Sequence, residues 1–464
     1  MMPRWSLKQL CLGLVLLQVA FGIRLAAAQW WEARLPPLQK FGFGDSDGYW
    51  ELGRTIARGE EYRYGDYRVF RTPGYPALLA PLFWISGGRE PPTMWARGEG
   101  AIFGTLAILL VMLLTRTLFN ERAAWIAGII ATFYPGQIAA SIFVLSEAPF
   151  IPLMLGQLFA WVTAVRYGST RGKIGYAILA GMLAGLATLV RPSWLLFTPF
   201  VLGLVAAYML LNWGLARCGR RIPSPNGLSG KQHLAIGAVM MLALCVTMSP
   251  WWVRNYLVTG KIVPTSLQVG ISLADGWNPE ADGGSDLSKF EISVGPTVLV
   301  QTFPTDGNNL NVDGIPLIEF AGLLSEADTD KWYRERAILW AQRNPTRVLQ
   351  LAGIKFLRMW NFIPNASDFA SWKLRLIYAV SYTPVLICCL AGLWTFRQQG
   401  FAIWLMFLPA VYFTLLHMIF VASIRYQQPA IIAWLVLGAG WLATWQYPTS
   451  PTRQDATSPT RQRG

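Results

Sequence analysis

The sequence predicts an all-α membrane protein: a polytopic helical bundle of about ten transmembrane helices with two extracytoplasmic loop regions carrying juxtamembrane helices. Three observations predict it. The chain of 464 residues is 53% hydrophobic and only 14% charged, a balance that marks a membrane protein rather than a soluble one. Apolar runs of roughly the 20 residues a helix needs to cross a bilayer recur through most of it. Its basic residues gather on alternate connections, as the positive-inside rule requires.

The elements follow in order. A first span covers 7–28, with Arg4 just before it and Lys8 at its start. The AAAQ at 26–29 resembles a signal-peptide cleavage site, but Arg24 just before it argues for an uncleaved span. Residues 29–96 then form a first outer loop. In it, FGFGDSDGYW (41–50) opens a helical run in which Tyr49, Leu52, Ile56 and Ala57 share a face and Gly59 ends the helix. Asp45, Ser46 or Asp47 suits its N-cap, typically worth about 1 kcal/mol. The segment PALLAPLFWISGG (76–88) is too short to span, so it reads as interfacial or re-entrant.

Further spans lie at 97–118, 123–143, 146–165, 174–190, 193–213 and 233–252. With the loop they close an N-terminal module, residues 1–252. A second outer region, 253–374, mixes turns such as ADGGSD (281–286) and TDGNN (305–309) with one helix at 325–345, capped by Ser325 or Asp328. That helix is expected on the membrane surface or against the first loop. Spans at 375–396, 401–422 and 428–445 make the C-terminal part, 375–445. The tail, 446–464, repeats SPTRQ and reads as disordered and cytoplasmic.

Placing the N-terminus in the cytoplasm puts Arg4, Lys8, Arg116, Arg122, Arg166, Arg171, Lys173, Arg217, Arg220, Arg221, Lys231, Arg397, Arg453, Arg461 and Arg463 inside, against only Glu121 and Asp455. That accounts for nearly all of the formal net charge of +14. The basicity therefore reports topology and implies no nucleic-acid partner. The expected location is the inner or plasma membrane, with both termini cytoplasmic. Cys11, Cys218, Cys245, Cys388 and Cys389 avoid the polar loops, so no disulfide framework is implied. The two histidines, His233 and His417, belong to no cluster with zinc-ligand spacing. His417, inside a span, reads as a structural hydrogen-bonding group. Phosphate-loop, dinucleotide-binding and serine-hydrolase motifs are absent from the sequence.

Six polar residues fall at outer span ends: Asp45, Asp47, Glu147, Arg191, Arg254 and Arg425. They could converge on one cavity at the outer membrane boundary. Each has a plainer reading. The arginines could snorkel to the interface, and Ser146 or Glu147 could cap a helix. As a site, a carboxylate would serve as general base for an acceptor hydroxyl, and arginine forks match phosphate. Tyr49 and Tyr75, with Trp50, Tyr62 and Tyr64, could stack on sugar faces. The ligand that fits has a lipid tail, a phosphate and a polar head. A helix N-terminus lowers a carboxylate's pKa while burial raises it, and the sequence leaves that balance open. No resident cofactor is expected, though Asp45, Asp47 and Glu147 could hold a divalent cation.

The stretches DSDGYWELGRTIARGEEY, RTPGYPALLAPLF, SEAPF, GLATLVRPSW, PWWVRNYLVTGKIVPTSLQVG and IRYQQP together resemble the GT-C superfamily of integral-membrane glycosyltransferases. Within it the chain is similar to protein O-mannosyltransferases, lipid A aminoarabinose transferases and related bacterial sugar transferases, over about residues 7–445. The resemblance implies an inverting transfer of a sugar from a polyprenyl-phosphate donor to an extracytoplasmic acceptor, a lipid, glycan or protein, with no nucleotide sugar. It implies membrane lipids and that donor as partners. Relatives carry an acid four positions before a Tyr, which selects Asp45 before Tyr49 as the base. Their frequent second acid is replaced here by Ser46, with Asp47 or Glu147 as helpers. Arg254 and Arg425 match donor-phosphate arginines, with Arg191 a further candidate. No appended soluble binding domain is evident in the sequence, unlike eukaryotic-type protein mannosyltransferases. Two rival readings are a ligase or polymerase of lipid-linked glycans with a diphosphate donor, and a non-enzymatic flippase or transporter. Internal repeats would mark the last, and none is convincing.

Overall fold

The computed structural model describes residues 5–37, 39–166, 169–217, 230–287, 325–364 and 371–445. Cys218, the TDGNN turn and the tail at 446–464 lie outside the described residues. The described chain is a helical bundle. Helix α1 (Leu7–Glu32) opens it, with Ser6 and Gln9 forming a capping box. Helices α4 (Thr93–Leu118), α7 (Glu147–Arg166), α8 (Thr170–Val190), α9 (Phe197–Arg217), α10 (Gly230–Thr259), α14 (Trp372–Phe396) and α15 (Phe401–Ile419) complete a set of eight long enough and apolar enough to cross a membrane.

Two expected spans differ from the reading above. The run at 123–143 is a pair, α5 (Glu121–Phe133) and α6 (Pro135–Ile142), bent by 61°. Pro135 disfavours helical backbone at the residue before it, and Tyr134 is extended there, so the helix breaks. The last span, α16 (Ile424–Thr444), forms but is not among the eight. Arg425, Gln427 and Gln428 at its start dilute its apolar character, and they are tolerable because protein surrounds them: Gln427 and every residue from Ala430 to Gly440 are buried. Among the described residues eight helices are long and apolar enough to span, nine with the bent pair, and α16 forms at the tenth expected position. Close crossings use glycine. A Cβ at Gly181 would sit 2.2 Å from Met240 O, and one at Gly392 2.2 Å from Leu437 O, the small-residue packing typical of membrane helices.

The loops carry the remaining helices. In the first, α2 (Gly44–Arg58) packs on α3 (Gly74–Ile85). Gly59 ends α2 in the left-handed conformation, φ +66°, as expected. The capping expectation fails: the N-cap is Phe43, no side chain caps the helix, and Asp45 and Asp47 lie inside its first turn. The 76–88 segment is α3, whose Tyr75, Leu79 and Phe83 are buried while Trp84 and Ile85 are exposed. Its Gly74 abuts the end of α8; a Cβ there would lie 2.5 Å from the Leu189 carbonyl carbon.

Among its described residues the second loop holds three helices where the sequence suggested one: α11 (Val269–Gly276), α12 (Glu326–Arg343) and α13 (Pro345–Met359). Ser325 caps α12 by accepting from Asp328 N–H. Leu273, Tyr333, Trp340 and Leu351 bury one another beneath these helices. Of the two places considered for α12, it takes the first loop. Glu326 accepts from the backbone N–H groups of Arg68 (2.9 Å) and Val69 (3.0 Å), and Lys261 pairs with Asp328 at 2.5 Å.

Candidate active site

Asp45 projects from the first turn of α2. Arg71, in the stretch between α2 and α3, donates from Nη2 to Asp45 Oδ1 at 2.8 Å. Arg425, in the first turn of α16, donates from Nη2 to Asp45 Oδ2 at 3.1 Å. The spacing of Asp45 and Tyr49 places both on one face of α2, and Arg71 meets both. Its Nη1 donates to the Tyr49 hydroxyl at 3.2 Å, and its guanidinium lies 4.4 Å from the Tyr49 ring centroid. Glu147, 2% exposed at the start of α7, pairs with Arg425 Nε at 2.9 Å and Arg191 Nη1 at 3.0 Å. Arg191 also reaches Ser146 Oγ at 3.4 Å. The outcome is one connected chain of charges: Arg71, Asp45, Arg425, Glu147, Arg191.

Asp45 is drawn two ways. Desolvation would raise its pKa, but the guanidiniums of Arg71 and Arg425 outweigh it and hold the carboxyl well below the usual carboxylate range. The side chain keeps 42% of its surface exposed. Burial would lower the pKa of Arg71, and the facing Tyr49 and Asp45 raise it instead. In this state Asp45 is a fixed anion.

Four of the six expected residues therefore converge. Asp47 and Arg254 do not join them. Asp47 is exposed, two residues around the helix from Asp45. Arg254, near the end of α10, donates from Nη2 to the carbonyls of Tyr62 and Arg68, both at 2.9 Å, and stacks on Tyr62 and Trp251. It brackets the turn that leads to Arg71. Tyr49 and Tyr75 meet edge to face at 5.1 Å, buried between α2 and α3 as the floor under Arg71. His417 donates from Nδ1 to Val421 O at 2.8 Å and stacks 4.2 Å from Tyr426, the structural role expected. Among the described residues no three Asp, Glu, His or Cys side chains converge as a metal site. Between Asp45 and Glu147, where a shared cation would sit, lies the Arg425 guanidinium.

A cavity of about 810 Å³ opens beside Asp45, Arg71 and Arg425. Its apolar walls come from α1 (Ala27, Trp30), α6 (Ile138, Ala139) and α14 (Leu374, Ile377), and aromatic Tyr64 and Phe70 flank Arg71. Arg71, Phe70, Tyr426 and Arg358 went unremarked in the sequence. Arg71 and Tyr426 sit inside quoted motifs, RTPGYP and IRYQQP, so adjacency to those motifs was the available signal; nothing local distinguished Arg358.

The described residues thus form a polytopic helical bundle with two helices in its first outer loop and an aspartate clamped by arginines beside a cavity with apolar walls, the setting in which the resemblance read from the sequence can be compared with known proteins. The comparisons bear out that resemblance. Residues 84–260 match the family model described as dolichyl-phosphate-mannose-protein mannosyltransferase, a stretch that includes Glu147, Arg191 and Arg254. The archaeal oligosaccharyltransferase AglB from Archaeoglobus fulgidus, solved with an inhibitory peptide and a dolichol-phosphate, superimposes with a TM-score of 0.54 at 15% identity, over 95% of this chain and 51% of that one. The chain thus spans about half the length of that protein, and the likeness is one of fold. ArnT from Cupriavidus metallidurans, bound to undecaprenyl phosphate, matches with a TM-score of 0.42 at 15% identity over 95% of this chain and 79% of its own. The S. cerevisiae protein O-mannosyltransferase Pmt1-Pmt2 complex, bound to the sugar donor, matches with a TM-score of 0.40 at 17% identity over 56% of this chain and 34% of that one. No curated protein matches the chain by sequence.

Proposed function

We propose that the protein transfers a sugar from a polyprenyl-phosphate donor to an acceptor on the extracytoplasmic side, with inversion at the sugar carbon. The observation that carries the reading is the clamped Asp45 at the edge of a cavity with apolar wall residues from α1, α6 and α14. A lipid tail suits those walls, and a phosphodiester suits Arg71 and Arg425. A bound phosphate competes with Asp45 for both guanidiniums. As they turn toward it, the Asp45 carboxylate loses its counter-charges and its pKa rises, which makes it a better base. The acceptor hydroxyl gives its proton to Asp45, its oxygen bonds to the sugar carbon from the face opposite the phosphate, and the bond from that carbon to the phosphate oxygen breaks. The lipid phosphate leaves with one more negative charge, which Arg71 and Arg425 stabilise.

Within this reading Glu147 and Arg191 hold Arg425 in place, Arg254 supports the Arg71 turn, and Tyr49 and Tyr75 carry Arg71 from below rather than touching the sugar. Family model and fold likeness, both to glycosyltransferases, support an enzyme over a carrier. The test is transfer in membranes or proteoliposomes supplied with polyprenyl-phosphate sugars and extracted envelope acceptors. Product is expected without any nucleotide sugar. Full activity of Asp45→Asn with a matched donor would sink the assignment of Asp45 as base.

A further inference from the structure

Arg24 lies within the first spanning helix, where a charge is costly. Snorkelling would take its guanidinium toward Glu32, the nearer end of α1. It points the other way. Nη1 donates to Ala20 O, one turn back along α1, at 3.1 Å, and the residue is 1% exposed. Nη2 crosses to α5 and donates to Ala131 O at 3.3 Å. Among the described residues both groups meet carbonyls and neither meets a carboxylate. An ion pair therefore does not explain this arginine.

The carbonyl it meets on α5 is one that the helix break exposes. In an unbroken helix Ala131 O would accept from the N–H of residue 135, and Pro135 has none. The last turn of α5 closes one carbonyl earlier, with Tyr134 N–H on Ile130 O at 2.9 Å. Arg24 supplies the missing donor from the neighbouring helix. An unmet carbonyl within a bilayer costs stability, so the bend and the guanidinium stabilise each other. The seat is tight. A Cβ at Gly104 of α4 would lie 2.6 Å from Arg24 Nε and 2.5 Å from Ser141 Cβ of α6, and one at Gly100 would lie 2.2 Å from Ser141 O. Glycine at both positions lets α4 receive the guanidinium and the bent α6 together.

The bend decides where one wall of the cavity stands. Helix α6 gives Gly136, Ile138, Ala139 and Ile142 to that wall, and Ala27, one turn after Arg24, belongs to it from α1. Over the about 12 Å of an eight-residue helix, a bend of 61° moves the far end by about 10 Å. Arg24 stands behind the wall and lines none of it. We propose that Arg24 is a positioning residue: it replaces the N–H that Pro135 lacks, holds α6 bent, and so fixes the wall against which the donor's lipid lies. The proposal rests on the reading of the cavity as a lipid-phosphate site.

Two measurements on the detergent-purified full chain test it. The first is a double-mutant cycle read as thermal midpoints. Pro135→Ala restores an N–H that can meet Ala131 O from within its own helix. Arg24→Met, which keeps the length and loses the donors, should therefore lower the midpoint more in the wild-type background than beside Pro135→Ala. The cost of burying the charge is common to both backgrounds and cancels. The second is binding of polyprenyl phosphate, read as an affinity and as the number of competent molecules. Arg24→Met should weaken the affinity about tenfold, the scale of one or two lost methylene contacts, with that number unchanged. Mere loss of folded protein would do the reverse, lowering the number and leaving the affinity. Arg24→Lys, which keeps a donor, should recover part of the affinity. The proposal is overturned if Arg24→Met shifts the midpoint equally in both backgrounds, or if it leaves the affinity at the wild-type value. If wild-type protein does not bind polyprenyl phosphate at all, the functional reading falls and takes the lipid wall with it, while the thermal cycle still decides whether Arg24 holds the bend.

Discussion

Asp45 is held by two guanidiniums, and in the proposed reaction the donor phosphate draws them away. Replacing it with Asn should lower transfer by about 10²–10⁴-fold, the usual contribution of a positioned base, while the protein still binds donor. The pH dependence separates free and bound states. In the free protein Arg71 and Arg425 keep the Asp45 pKa depressed, so kcat/KM should show no acid limb from Asp45 in the usual carboxylate range. If donor phosphate takes the guanidiniums, kcat should show a limb at higher pH than kcat/KM does. Identical limbs in the two profiles would argue against the exchange. Stability follows the same sign. A depressed folded-state pKa contributes above the unfolded value, about 3.9 for Asp, and is lost only as pH falls through the depressed value. The stability gap between wild type and Asp45→Asn in detergent should therefore hold constant from neutral pH into mild acid. The family resemblance favoured Asp45 over Asp47 through the spacing to Tyr49, and the structure places Asp45 and Tyr49 on one face of α2, where Arg71 meets both. The sequence could not single out Arg71, since its partner is chosen by the fold of the turn between α2 and α3.

At the scale of elements, two contacts aim the first outer loop. Glu326 of α12 accepts from the N–H groups of residues 68 and 69, three and two positions before Arg71. Burial raises its pKa, and the two backbone bonds only partly oppose that. A raised folded-state pKa gives stability that is present below the unfolded value, about 4.3, and lost as pH rises through the folded one. At neutral pH the charge is thus carried at a cost. Glu326→Gln, which keeps an acceptor, should be at least as stable as wild type, whereas Glu326→Ala should speed hydrogen exchange at residues 68 and 69 and lower kcat. Equal exchange in both variants would refute the latch. The second contact is Gly74 against the end of α8. Gly74→Ala places a methyl 2.5–2.6 Å from three backbone atoms of Leu189 and Val190, so it should lower the thermal midpoint by displacing α3, an overpacking cost of about 1–3 kcal/mol. The bend at Pro135 was present in the sequence as a proline inside an apolar run; length and hydropathy read over a whole window pass across it. Helices α11 and α13 are short and only half apolar, and they stand because α12, α15 and one another cover them.

The whole molecule depends on how the outer loops lock to the bundle. Lys355 is the plainest pin, a buried cation shared by two helix ends. Burial pushes its pKa down to about 8 from an ordinary 10.5. The unfolded chain then binds more protons than the folded one between those values, so stability should rise with pH across that window in wild type and stay flat in Lys355→Met. Parallel pH profiles of the two thermal midpoints would show that the pin carries no charge linkage. Lys355→Met should also be less stable at neutral pH, because Gly276 O and Ile419 O lose their donor.

The sequence by itself determined the class of molecule and the order of nearly all its spans. Those follow from hydropathy, helical phase and charge asymmetry, which act along the chain. Only the tertiary structure decided that Arg425 bridges Asp45 and Glu147, that Arg254 braces a turn instead, that Tyr49 and Tyr75 lie beneath the site, and that Arg358 shares the cavity. Asp45 and Arg425 are 380 residues apart. Which of several outer arginines meets a given carboxylate is set by helix crossings and by loops seated on glycine and buried lysine, and those contacts exist only once the bundle has closed.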